Sequence, residues 1–191
     1  MYAFLLSTAV IFVAELGDKS QLMAMTFATR YTVRQVLIGI TIATAIVHLA
    51  SVGIGQLVGS SFADRQWIIS IVAGVAFLVF AAWTLRGDEL TDAEAAKVDR
   101  SSRSAIVAAS VAFFLAELGD KTMLATITLA TTGNPFSVWL GSTLGMVAAD
   151  ALAIVVGQQL GARLPERAVR IGAAVAFFVF GVILLVEALV G

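Results

Sequence analysis

Two stretches decide how this chain is built: Glu15-Leu16-Gly17-Asp18-Lys19-Ser20 and, 102 positions later, Glu117-Leu118-Gly119-Asp120-Lys121-Thr122. Each sets two acids and a lysine inside an apolar surround. The same shift aligns residues 12–29 with 114–131 at eleven identities in eighteen positions, and it pairs Gly39 with Gly141 and His48 with Asp150. It also matches Gly55, Gln56 and Gly59 with Gly157, Gln158 and Gly161. Further on the offset becomes 100, and Ile71, Val75, Ala76, Phe77, Val79 and Phe80 match Ile171, Val175, Ala176, Phe177, Val179 and Phe180. The chain is a tandem duplication, which fixes the unit of the fold before any element is read.

What surrounds the repeats is too apolar for a water-soluble domain. Of the 191 residues 60% are hydrophobic and 13% charged, against roughly 25% charged in an average soluble domain. A helix crossing a bilayer needs about 20 mostly apolar residues, because hydrocarbon offers its backbone groups no water. Uncharged runs at 35–63, 66–85 and 122–149 meet that length. Runs and polar breaks together predict six membrane helices, at about 2–29, 35–60, 66–85, 104–132, 136–161 and 168–190. The opening 1–14 resembles the apolar core of a signal peptide, but it has no basic leader and runs straight into Glu15, so it reads as part of the first span. Short connections link the helices except at 86–103, a charged linker dividing a first three-helix repeat (1–85) from a second (104–191).

Three helices per repeat is an odd number. The second repeat therefore enters the membrane from the opposite side, and the fold class expected is an all-α membrane protein of two inverted three-helix repeats related by a two-fold axis in the membrane plane. Arg30, Arg34, Arg86, Lys97, Arg100, Arg103, Arg163, Arg167 and Arg170 fall in loops on one side, against Arg65 alone on the other. That side is cytoplasmic by the positive-inside rule, so both termini face outward. Arg163, Arg167 and Arg170 would meet anionic head groups there. A net charge of −1 leaves no clustered basic face for nucleic acid; the lipid bilayer is the expected surrounding, and nothing in the sequence sets an oligomeric state.

An ionisable side chain at the centre of a span costs about 2.5–3.5 kcal/mol on insertion scales, so such residues usually face a cavity and serve function. Glu15, Asp18, Glu117 and Asp120 are the candidate metal ligands, with Lys19 and Lys121 balancing charge. Helical spacing would put Glu15 and Asp18 on neighbouring positions of one face, with Lys19 a turn from Glu15. Gly17 and Gly119 would allow close approach or local unwinding, freeing carbonyl oxygens as further ligands. With no cysteine in the chain, a metal must use oxygen or imidazole, the preference of calcium and manganese. Four carboxylates and two ammonium groups leave minus two, which one divalent cation or two protons would neutralise. Ser20 and Thr122 could add hydroxyl ligands or bond back to the preceding helical turn. Asp150 reads as a further ligand or proton relay, His48 as a satisfied packing residue with the same roles open to it, and Gln21, lacking a repeat partner, ranks lower. The opposing interpretation makes Glu15–Lys19 and Glu117–Lys121 buried ion pairs that only fix packing.

The doubled Glu-Leu-Gly-Asp-Lys-[Ser/Thr] motif in a duplicated six-span chain resembles the signature of the Gdt-type cation/proton exchanger family, which includes Golgi calcium/manganese transporters and bacterial manganese exporters. The resemblance implies movement of a divalent cation, Mn2+ or Ca2+, against protons, with the acidic roles carried onto Glu15, Asp18, Glu117 and Asp120. It implies metal ions and protons as partners and no cofactor. The compact chain looks like a bacterial member, multi-pass in the plasma membrane. The rival readings are an exporter of amino acids or other small cationic solutes and a passive cation channel; no hydrolytic triad or cofactor fingerprint points to an enzyme.

Overall fold

The computed structural model describes residues 1–86, 104–160 and 166–190. The charged linker over 87–103 and the connection holding Gly161 and Arg163 lie outside the described residues. Among the described residues the chain is all helical: α1 (Tyr2–Glu15), α2 (Lys19–Arg30), α3 (Val33–Ser61), a 3-10 turn (Ala63–Arg65), α4 (Gln66–Arg86), α5 (Ala105–Glu117), α6 (Lys121–Ala130), α7 (Pro135–Leu160) and α8 (Glu166–Val190). Four of these, α3, α4, α7 and α8, are long and apolar enough to cross a membrane.

The other four correct the expectation of continuous helices over 2–29 and 104–132: each motif breaks its helix in two. Leu16 and Leu118 leave the helix in extended conformation, and Gly17 and Gly119 then turn through the left-handed region at φ +75° and +80°. Only glycine occupies that region without a Cβ clash, so the helix ends where the motif places it. Asp18 and Asp120 follow in extended conformation and open α2 and α6. The amides of Asp18 and Asp120 donate back to the carbonyls of Glu15 (3.0 Å) and Glu117 (3.2 Å), closing each break. Glu15 and Asp18 therefore do not share a helical face; they stand on either side of a gap.

Each half packs mainly on the other. α4 lies against α8, α1 against α7 and α3 against α5, the last two being equivalent pairs under the duplication. The correspondence reaches single residues. Gly39 sits against Ile106, Ala109 and Ser110, while Gly141 sits against Phe4, Ser7 and Thr8, each 102 positions from its counterpart. The Gln56 amide donates to the Ala130 carbonyl at 2.5 Å, and the matching Gln158 to that of Ala28 at 3.4 Å. A Cβ on Gly39 would lie 2.6 Å from that of Ala109, so bare backbone is what lets these helices close, as membrane helices do without a hydrophobic drive between them. The contacts are thus reciprocal between the halves.

Polarity is distributed inside out. Ile46, Leu49, Leu57, Val72, Val79, Val175, Phe178 and Val186 are exposed, whereas Glu15, Asp18, His48, Glu117, Asp120, Lys121 and Asp150 are buried. The Phe-rich segments of α4 and α8 split accordingly, Phe77, Phe80 and Phe177 turning inward and Phe178 outward.

Candidate functional site

The two breaks place their charged groups at one locus. Lys121, the first residue of α6, forms an ion pair with Asp18 of the first motif, and both side chains are almost wholly buried. Glu15 feels the charges of Glu117, Asp18 and Asp150, and Glu117 those of Asp120, Asp18 and Asp150. Five carboxylates from three segments thus act on one another electrostatically. Lys121, which the packing interpretation pairs with Glu117 of its own motif, thus bridges to the other motif.

Hydroxyls hold the two glutamates. Ser20 Oγ contacts both Glu15 Oε1 and Asp18 Oδ2, the latter at 3.0 Å, and with one proton it donates to one of them at a time. Thr122 Oγ1 donates to Glu117 Oε2 at 2.8 Å. Both hydroxyls reach across the break rather than back onto their own helical turn, an option that exists because α2 and α6 start afresh after the glycine. Asp18 further accepts from the Ser20 amide at 3.4 Å, a weak N-cap.

Backbone electrostatics add to the side chains. α1 and α5 end at Glu15 and Glu117, directing the partial negative charge of their C-termini at the locus, while the N-termini of α2 and α6 present partial positive charge beside Asp18 and Asp120. Such half-helix ends buried in a membrane protein can serve cations and anions in turn.

Asp150, on α7, is wholly buried, and neither of its carboxylate oxygens has a hydrogen-bond partner among the described residues. Glu15 Oε2 likewise has no hydrogen-bond partner among the described residues. Buried polar atoms without partners carry a desolvation cost of about 1–3 kcal/mol, and in a native structure each points to a role beyond packing. His48 was expected to be a satisfied packing residue; it is buried, but neither ring nitrogen has a partner among the described residues. Lys19 is half-buried. Among the described residues no three acidic or imidazole groups are gathered tightly enough to close on one metal ion. In this conformation Ser20, Thr122 and Lys121 hold the carboxylates instead.

Gln21, ranked lower in the sequence, is tied into the site. Its Oε1 accepts the Gly17 amide at 2.8 Å and its Nε2 donates to the Ala149 carbonyl at 3.0 Å, tying the first break to α7 beside Asp150. The missing repeat partner demoted it, yet the equivalent position does a related job: Met123 Sδ takes the Gly119 amide at 3.2 Å. The signal available was not identity but acceptor capacity four residues after the glycine.

Comparison with known proteins agrees on one family. The family model described as "Divalent cation/proton antiporter GDT1" matches residues 3–92 and 105–191. The chain is 32% identical to a protein of Vibrio cholerae named "Putative manganese exporter", covering 89% of this chain and 84% of that one. It is 31% identical to a GDT1-like protein of Synechocystis sp., over 95% of each chain, and 29% identical to GDT1-like protein 4 of Arabidopsis thaliana, over 95% of this chain and 94% of the other. No solved structure matches.

Proposed function

The chain belongs to the GDT1 family of divalent cation/proton antiporters, and from that premise we propose that it exports a divalent cation, manganese in the first place, from a bacterial cytoplasm in exchange for protons. The observation that carries this reading is the ion pair between Lys121 and Asp18. It brings one motif's cation onto the other motif's acid, so the two repeats share a single buried site.

The fold reading that goes with it has six crossings. α1 and α2 contain 14 and 12 residues, α5 and α6 contain 13 and 10; at 1.5 Å per residue each pair spans about 35–39 Å, enough for a hydrocarbon core of about 30 Å. Reciprocal contacts between the halves support an inverted arrangement, with the breaks near mid-membrane and both termini outside.

At such a site Glu15, Asp18, Glu117 and Asp120 supply four negative charges and Lys19 and Lys121 two positive ones, a deficit suited to one divalent cation or two protons. An arriving cation takes Asp18 from Lys121 and turns the lone pairs of Ser20 and Thr122 toward itself. Asp150, already in the same field and without a hydrogen-bond partner, joins as a further ligand or as the place where a proton waits. Metal and protons cannot both occupy these oxygens, and that exclusion is the coupling. The name of the Vibrio relative favours manganese over calcium; the oxygen set suits either ion.

Everted membrane vesicles carrying the full chain, with an acid lumen, should accumulate manganese, and more slowly calcium. Collapse of the pH gradient should stop both. Uptake indifferent to that collapse overturns the antiport; calcium outrunning manganese reverses the choice of cargo.

A further inference from the structure

Met1 and Glu187 line one cleft, so the start of α1 and the last turns of α8 lie at the same end of the bundle. The cleft, of about 610 Å³, is walled by α1, α4, the end of α6 with its following turn, and α8. Its polar lining includes Tyr2, Ser70, Thr128, Thr131, Asn134 and Glu187. Thr128 Oγ1 donates its proton to the Leu124 carbonyl at 2.9 Å and Thr131 Oγ1 to that of Thr128 at 2.7 Å. With their protons engaged on backbone, both hydroxyls have only lone pairs left to offer the cleft. The lone pairs of Thr128 and Thr131 and the one carboxylate, Glu187, suit a hydrated hard cation.

Phe77, which is buried, and Phe180 line the cleft, their ring centroids 6.2 Å apart. Phe77 also packs on Phe177 at 5.8 Å, and Phe80 on Phe177 at 5.9 Å. Phe77, Phe80 and Phe177 share one buried apolar cluster with Val10, Ile11, Ala14 and Ala125, and Phe180 packs against it. Ile11 is a single helical turn before Glu15, about 5.4 Å along the axis. An aromatic layer therefore stands between the cleft and the charged locus. Under the repeat offset Phe77 corresponds to Phe177 and Phe80 to Phe180, so both halves build the layer and movement of one half against the other must disturb it.

We propose that this cleft is the outer half of the cation's path, and that Phe77, Phe80, Phe177 and Phe180 form the barrier closing it in this conformation. Hydrophobic constrictions stop hydrated ions by excluding water, and this one sits where the path would otherwise reach Glu15. The assignment rests on the antiporter reading.

The chain contains no cysteine, so single cysteines report without a background. Ile183→Cys places a thiol in the cleft wall and Ala125→Cys one beneath the aromatic layer. A membrane-impermeant cationic thiol reagent, applied to intact cells from the side of the termini, should modify I183C quickly and A125C slowly, and modification of I183C should stop manganese flux. Adding Phe77→Ala should raise the A125C rate to that of I183C. The proposal is overturned if I183C resists the reagent, if it is modified with flux intact, or if A125C reacts as fast as I183C with Phe77 in place. Ser70→Cys on the facing wall replaces I183C if that variant is not inserted. Modification is read by mass and needs no transport, so an unmodified parent without manganese flux would sink the antiporter reading while the labelling still judged the cleft.

Discussion

At the scale of single residues, Lys121 carries the most consequence. Its ammonium pairs with the Asp18 carboxylate inside the bundle, and removing one partner of such a buried pair costs about 3–5 kcal/mol. Lys121→Met should lower the thermal midpoint in detergent sharply, and Lys121→Met with Asp18→Asn should recover most of the loss while leaving manganese flux absent. A double variant no more stable than the single one would show that the pair does not hold this locus. Glu117→Gln keeps an acceptor for Thr122 and removes a charge the cation needs. Flux in proteoliposomes should vanish with the fold intact; flux at the parental rate would remove Glu117 from the site. The motif residues were legible in sequence because charge inside an apolar run is rare and was present twice. The partner of Lys121 was not, since it lies 103 positions away and only packing of the halves selects it.

At the scale of elements, the broken helix is the device. Gly119 adopts φ +80°, and a Cβ there would meet nothing within 4 Å. Gly119→Ala thus tests backbone strain alone: it should cost about 1–2 kcal/mol, the penalty of a left-handed residue bearing a Cβ. Gly119→Asn should cost less, since asparagine tolerates that region. Equal melting temperatures for parent and G119A would mean that the break survives without its glycine. Unwinding at Gly17 and Gly119 was one of two options open in sequence, the other being close approach. Apolar residues flank both motifs without a turn signal beyond the glycine, so a division by apolar runs and polar breaks gives continuous helices over 2–29 and 104–132. The break wins because charged groups inside the bundle recover more from partners across a gap than a continuous backbone would from its hydrogen bonds.

At the scale of the whole molecule, the distribution of arginine and the reciprocity of contacts make the same demand on orientation. If the halves enter from opposite faces, reporter tags on the N-terminus and on the C-terminus should both signal outside the cytoplasm. A cytoplasmic signal from either would overturn the inverted topology and, with it, the side assigned to the cleft.

The sequence by itself determined that the chain is a duplicated, helical membrane protein and which acids stand as candidate ligands, because repetition and charge within apolar runs are properties of residue order and type. Tertiary structure decided what those residues touch: Lys121 on Asp18, Gln21 on the backbone before Asp150, Asp150 in the field of both motifs, and aromatic rings from α4 and α8 sealing a cleft. Each of these depends on surfaces brought together from distant parts of the chain, where glycines at the helix crossings set how closely backbones approach and hence which side chains meet.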